Sequence, residues 1–123
     1  MGRGNRAMPG DMGAFYQPLS NLVKSARYFF GKHVEIIFQS VIPMKCMYTY
    51  TADNFVNFNI LLQSLCHDCN CGYFDVFDYF LDNNGFDYNS NLYADPFHLN
   101  RNGIPVLENC FKAYLTALRN YRA

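Results

Sequence analysis

The segment from Val34 to Ile42 constrains the fold more than any other part of the sequence. It reads Val-Glu-Ile-Ile-Phe-Gln-Ser-Val-Ile, is dense in β-branched and aromatic residues, and ends at Pro43. Apolar runs of this kind are typical of strands that are buried on both faces, as in parallel sheets. The sequence therefore predicts a central parallel strand that is covered by helices.

An amphipathic helix is predicted before this strand. Between Pro18 and Phe30 the apolar residues recur at spacings of three and four, and Gly31 ends the pattern. We expect Phe29 and Phe30, at the end of the helix, to be core residues. Arg27 falls on the opposite face of the helix and is expected to face solvent.

Further elements alternate in the same way along the rest of the chain. A helix capped by Thr51 or Asp53 fades at His67, a short strand at residues 72–77 continues into residues 78–81, and a last helix runs from Pro105 to about Arg119. Alternation of this type predicts an α/β domain with a parallel sheet between two helical layers. The domain is expected over residues 14–123, after a glycine-rich flexible arm at residues 1–13.

Only two strands are convincing in this pattern, which is too few for a complete sheet. Such a sheet would expose an unpaired edge and apolar surface. The sequence therefore predicts that the chain associates with itself or with a complementing N-terminal segment.

The residues best suited to catalysis lie in one stretch of the sequence, Asp95-Pro96-Phe97-His98-Leu99-Asn100-Arg101-Asn102-Gly103. The proline fixes one backbone angle and disfavours a helical conformation for Asp95, so the stretch is predicted to be a loop. Across a turn of four residues the carboxylate of Asp95 and the imidazole of His98 can emerge on the same side. An acid that orients a histidine in this way occurs in many catalytic triads, in which the histidine is the base that activates a nucleophile.

This stretch, with the amphipathic helix that follows it, resembles the last signature block of the SGNH (GDSL-like) hydrolases. The resemblance implies a three-layer, flavodoxin-like α/β/α fold, of which this chain would hold the C-terminal portion. It also implies carboxylic ester hydrolysis, with Asp95 and His98 as members of a catalytic triad. In that family the serine lies in a Gly-Asp-Ser block near the beginning of the domain, and this sequence has no such block.

A third candidate residue follows from the same resemblance. Gly4-Asn5-Arg6 falls where the family places a Gly-x-Asn-Asp block, whose asparagine helps to form the oxyanion hole. The amide of Asn5 is a suitable donor for a developing oxyanion. Met44 to Tyr50, after the predicted central strand, is expected to border a pocket for an ester substrate or to pack on its own sheet.

The resemblance leaves two functions open. The chain is either an SGNH-like esterase fragment or degenerate homologue, inactive alone for lack of the serine, or a non-catalytic binding module. Esterase-like domains of the second kind occur in the germ-plasm protein Oskar and in retroelement open reading frames. RNA is a weak candidate partner, because ten basic and ten acidic residues give a net charge of zero.

Composition narrows the remaining possibilities. No apolar run is long enough to cross a bilayer and no signal peptide is recognisable, so no membrane association and a cytoplasmic location are expected. The cluster Cys66-His67-Asp68-Cys69-Asn70-Cys71 has a zinc-like spacing, but a second well-spaced pair of ligands is missing. Reduced thiols, no metal and no cofactor are therefore expected.

Overall fold

The computed structural model describes residues 12–44, 52–85 and 87–122. The predicted arm at residues 1–13 lies almost wholly outside this range and stays a prediction. Three α-helices and two β-strands form the described domain, together with three short 3-10 helices at Met12–Phe15, Phe77–Phe80 and Ser90–Leu92. The helices are α1 (Tyr16–Phe30), α2 (Ala52–Cys69) and α3 (Gly103–Arg122), and the strands are β1 (Ile37–Gln39) and β2 (Gly72–Phe74).

The two strands form a parallel sheet, which confirms the predicted strand direction. Phe38 lies opposite Tyr73 in the pairing. Both strands are shorter than predicted, because the backbone of the residues that flank them forms other hydrogen bonds. The N–H of Val41 donates to the side-chain oxygen of Asn59 on α2 (2.8 Å), and the Asn59 amide donates back to the Val41 carbonyl (3.2 Å). After β2, residues 77–80 form a 3-10 helix rather than the predicted continuation of the strand.

Helices cover both faces of this sheet. Phe74 contacts Phe111 and Tyr114 of α3, and Ile37 packs in the same core. On the opposite face, Tyr73 lines a cavity of about 120 Å³ with residues of α2. The architecture is therefore a partial three-layer α/β/α fold, as the alternation of elements in the sequence predicts.

Arg27 does not face solvent, and that expectation was wrong. Its guanidinium donates to the carbonyl oxygens of Cys69 (2.5 Å) and Asn70 (2.9 Å) at the end of α2. Asn70 adopts a left-handed conformation (φ 55°), and the N–H of Cys71 donates to the carbonyl of Cys66 (2.8 Å). This is the Schellman arrangement that ends many helices, and Arg27 satisfies carbonyl groups that it leaves open.

The aromatic end of α1 is also not part of the core. Phe29 and Phe30 are 75% and 76% exposed. Leu22, seven residues before Phe29 and on the same side of the helix, is exposed as well. The periodicity predicted the helix correctly, but no described residue covers this side of it.

None of the helices within the described residues is both long and apolar enough to cross a membrane.

Candidate active site

Asp95 organises the loop between the last 3-10 helix and α3. One oxygen of its carboxylate accepts hydrogen bonds from the N–H groups of Phe97 and His98, both at 2.8 Å. The N–H of Ala94 donates to the carbonyl of His98 (2.8 Å), which closes the loop. This is the local conformation that an aspartate before proline favours, since short acidic side chains hydrogen-bond backbone N–H groups two or three residues ahead.

The same carboxylate contacts the imidazole of His98. Nδ1 lies 2.9 Å from one carboxylate oxygen and 3.0 Å from the other. The N–H of Phe97 and the imidazole of His98 together hold the pKa of the Asp95 carboxyl below its usual range. The carboxylate therefore stays charged at neutral pH and accepts from Nδ1 of His98.

This contact decides what His98 can do chemically. With Nδ1 donating to Asp95, the free lone pair of a neutral imidazole is on Nε2, and the side chain is 76% exposed. A histidine in this state can take a proton at Nε2, and the neighbouring carboxylate stabilises the imidazolium that results. The pair has the geometry of a general base and its orienting acid.

Tyr93 fixes the position of the loop relative to the sheet. Its hydroxyl donates to the carbonyl of Pro43, in the segment that follows β1, and its ring packs edge-on against Phe80 and Tyr88. Tyr93 is buried and belongs to the core cluster. Because Pro43 lies beyond the carboxyl end of β1, the loop is held at the edge of the sheet where open α/β folds bind ligands.

Asn100 joins the loop to the start of α3. Its side-chain oxygen accepts from the N–H groups of Asn102 (2.8 Å) and Gly103 (3.0 Å), and its amide donates to the carbonyls of Asn91 (2.9 Å) and Tyr93 (3.2 Å). Asn100 thus caps α3 and binds the preceding 3-10 segment at the same time. Sequence reasoning missed this residue, although an asparagine shortly before a predicted helix is a recognised capping signal.

Two of the chain's own serines are engaged elsewhere. Ser40 is buried, and its hydroxyl accepts from the N–H of Val76 (2.9 Å). Ser20 is buried beside the thiol of Cys69 (3.8 Å). Among the described residues, the hydrogen bonds of the His98 ring go to Asp95 and to no serine hydroxyl. Asn5, the predicted oxyanion donor, and residues 45–50 of the predicted pocket lie outside the described residues.

The cysteines near the end of α2 are free thiols in the structure. Burial raises the pKa of Cys66 to about 11 and also raises the pKa of Cys71. A raised pKa makes the thiolate, the form that binds metal ions, less favourable at either cysteine. Within residues 12–44, 52–85 and 87–122, no group of three or more metal-ligating side chains is arranged around a common point.

No protein-family model and no curated protein matches the sequence. Solved structures do match in fold. A protein from Streptococcus pneumoniae assigned as a platelet activating factor is 21% identical, with a TM-score of 0.76 over 85% of this chain and 51% of its own length. A Bacteroides fragilis protein assigned as an acylhydrolase is 13% identical, with a TM-score of 0.68 over 87% of this chain and 52% of its own.

A third similar structure is the esterase domain of the ORF1 protein from the zebrafish ZfL2-1 retrotransposon. It is 14% identical, with a TM-score of 0.69 over 95% of this chain and 66% of its own length. The chain thus spans about half of the first two structures and about two thirds of the third. It has, in partial form, the α/β fold of these three structures.

Proposed function

We propose that the chain is the C-terminal portion of an SGNH-type carboxylic ester hydrolase and supplies the general base of its active site. The observation that carries this proposal is the Asp95–His98 pair, with Nδ1 bonded to the carboxylate (2.9 Å) and Nε2 left for a nucleophile. The pair stands at the carboxyl edge of a parallel sheet, in a fold like that of esterases. Each feature alone is common, and their coincidence in one loop supports the assignment.

In the proposed mechanism, a serine from outside the described residues attacks the ester carbonyl. His98 takes the hydroxyl proton at Nε2 and returns it to the leaving alcohol. Water then attacks the acyl-serine, and His98 takes a proton from the water and returns it to the serine as the carboxylic acid leaves. Asp95 holds the imidazole in the required tautomer and stabilises its charged form. Asn5 is the proposed side-chain donor to the oxyanion, together with backbone N–H groups.

The test is hydrolysis of p-nitrophenyl acetate by the polypeptide that the complete transcript encodes, after the 5′ end of that transcript is sequenced. A Gly-Asp-Ser-like block upstream of Met1 and turnover that His98→Ala lowers about 10⁴-fold would support the proposal. Asp95→Asn is expected to cause a loss of similar size, since it changes the tautomer of His98. His33→Ala, which alters an exposed histidine outside the site, serves as the control.

Two results would contradict the proposal. One is a complete product that has no serine block and shows no hydrolysis dependent on His98. The other is clear turnover by the complete product that His98→Ala leaves unchanged, since His98 would then not be the base.

RNA binding, the other function left open by the sequence, draws less support. Arg27 is engaged at the end of α2, and Arg122 forms an ion pair with Glu35. Both are among the basic residues that would form an RNA-binding face, which are Arg3, Arg6, Lys24, Arg27, Arg101, Arg119 and Arg122. Salt-dependent retention of labelled RNA by the purified chain would nevertheless restore that function.

A further inference from the structure

The outer edge of β1 is open among the residues that the structure describes. Ile36 and Ser40 are bonded to β2, through a carbonyl and an N–H group respectively, each at 2.8 Å. Backbone groups alternate sides along a strand, so the N–H and C=O groups of Ile37 and Gln39 point away from β2. No other strand in the described part of the chain pairs with them. An edge of this kind is a template for an added strand.

The last turns of α3 pass close to the start of β1. Tyr114 lies against Gly72 of β2, and two turns later Arg122 forms an ion pair with Glu35, just before β1. The helix therefore runs across the sheet toward the start of β1. Along these turns Leu115 and Leu118, both half-buried, line a groove of about 480 Å³ with arginine side chains. The groove offers apolar contacts to whatever extends the sheet.

The comparisons indicate how much is absent from this architecture. The Streptococcus and Bacteroides structures are matched over 51% and 52% of their lengths, although 85% and 87% of this chain takes part. About half of each fold thus has no counterpart in the described domain. In the SGNH resemblance the serine block lies near the beginning of the domain, and this sequence has no such block.

We infer that the outer edge of β1 and the groove along α3 bind a parallel strand from a polypeptide that forms the other half of an esterase-like sheet. The identity of this partner rests on the proposed function, whereas the surface itself does not. The strand pairs with the backbone of Ile37 and Gln39, and its side chains on the α3 face pack on Leu115 and Leu118. The added strand thus gives hydrogen-bond partners to the N–H and C=O groups of Ile37 and Gln39. It also covers the apolar side chains of Leu115 and Leu118.

A second copy of this chain fits the same surface less well. A symmetric dimer through the β1 edge uses the same patch on both copies and brings the two strands together antiparallel. It also brings two α3 helices, each with arginines at its end, toward the same space. A strand without its own copy of α3 avoids this conflict.

The test uses the full chain together with the half of the Streptococcus pneumoniae protein that it does not match, expressed as a separate polypeptide. Hydrogen exchange of backbone amides reports the pairing directly. In the chain alone, the amides of Ile37 and Gln39 should exchange fast and those of Phe38 and Ser40 slowly. In the complex, protection of Ile37 and Gln39 should rise at least tenfold.

Gln39→Pro is the decisive variant. It removes an N–H group that points away from β2, so the chain's own sheet is retained while strand addition is blocked. Circular dichroism checks that the fold persists. Leu115→Glu is a second variant, which places a charge in the groove without touching the sheet. Each is expected to weaken the complex at least tenfold.

Three outcomes would overturn the inference: outer-edge amides that stay unprotected with the partner half present, a complex insensitive to both variants, or a homodimer that Gln39→Pro dissociates. The readout is separate from hydrolysis. A complex that protects the β1 edge but shows no His98-dependent turnover would support the binding surface and contradict the esterase function. His98-dependent turnover that Gln39→Pro does not change would support the esterase function and contradict the binding surface.

Discussion

The hydroxyl of Tyr93 donates a hydrogen bond to the carbonyl oxygen of Pro43. Fifty residues apart in sequence, these two residues join the loop that carries the acid–histidine pair to the segment that leaves β1. Both are buried. The bond therefore determines where the candidate base stands relative to the sheet, although neither residue takes part in the proposed chemistry.

Tyr93→Phe tests this relationship. The ring contacts with Phe80 and Tyr88 are retained, but the buried carbonyl of Pro43 loses its donor. An unsatisfied buried group costs about 1–3 kcal/mol, so the free energy of unfolding should fall by that amount in urea denaturation. Tyr79→Phe, at an exposed position, is the control and should change it by less than about 0.5 kcal/mol. Equal stabilities of the two variants would show that the bond is unimportant.

Asn100→Ala tests the junction with α3. The substitution removes the cap from the first N–H groups of the helix and frees the carbonyls of Asn91 and Tyr93. Loss of a helix cap costs about 0.5–2 kcal/mol, and we expect the upper end because four contacts are lost. Thermal unfolding measures the difference against Asn102→Ala, an exposed neighbour. A stability no lower than that of the control would rule out the capping role.

Gly103→Ala tests how closely the start of α3 packs against the backbone of Leu92. A Cβ atom at this position would overlap the carbonyl oxygen of Leu92, which is backbone and cannot move alone. Overpacking of this kind costs about 1–3 kcal/mol. Amide chemical shifts from Leu92 to Asn100 should change as the loop is displaced from α3. Unchanged shifts and stability would mean that the helix start has more room than the structure shows.

The sequence predicted the helices and strands better than it predicted the hydrogen bonds between residues that are distant in sequence. The parallel strands and the three helices follow from periodicity, and the contact between Asp95 and His98 follows from local loop chemistry. The length of β1 does not, because Asn59, 18 residues away from Val41, takes the backbone groups of that residue. Arg27 was misplaced for the same reason, since its partners at the end of α2 are distant in sequence. Tyr93 carried no local signal for its bond to Pro43.

The charge state of Asp95 should show in its response to acid. Since the folded structure lowers the pKa of this carboxyl, the stabilisation is present above its ordinary value of 3.8 and is lost as pH falls through the lowered value. NMR titration should place its inflection below 3.8, and the amide signals of Phe97 and His98 should move with it. Asp95→Asn should abolish this titration. An inflection at or above 3.8 would contradict the hydrogen-bonded loop.

Cys66 should behave in the opposite way at high pH. The thiol is buried, and desolvation, with smaller effects from Cys71 and Cys69, raises its pKa from 9.0 to about 11. Between these values the unfolded chain ionises at Cys66 and the folded chain does not. Stability that is fully present below pH 9 is therefore lost as pH rises toward 11.

Two measurements check this expectation for Cys66. Alkylation by iodoacetamide, followed by mass spectrometry, should be much slower at Cys66 in the folded chain at about pH 8 than in the urea-unfolded chain, because the thiolate is the reactive form. The denaturation midpoint should fall between pH 9 and 11, and Cys66→Ala should reduce that slope. Part of the slope should persist, since burial also raises the pKa of Cys71 and Cys110. Equal alkylation rates in the folded and unfolded chains would show that the thiol is accessible and that this end of α2 opens readily.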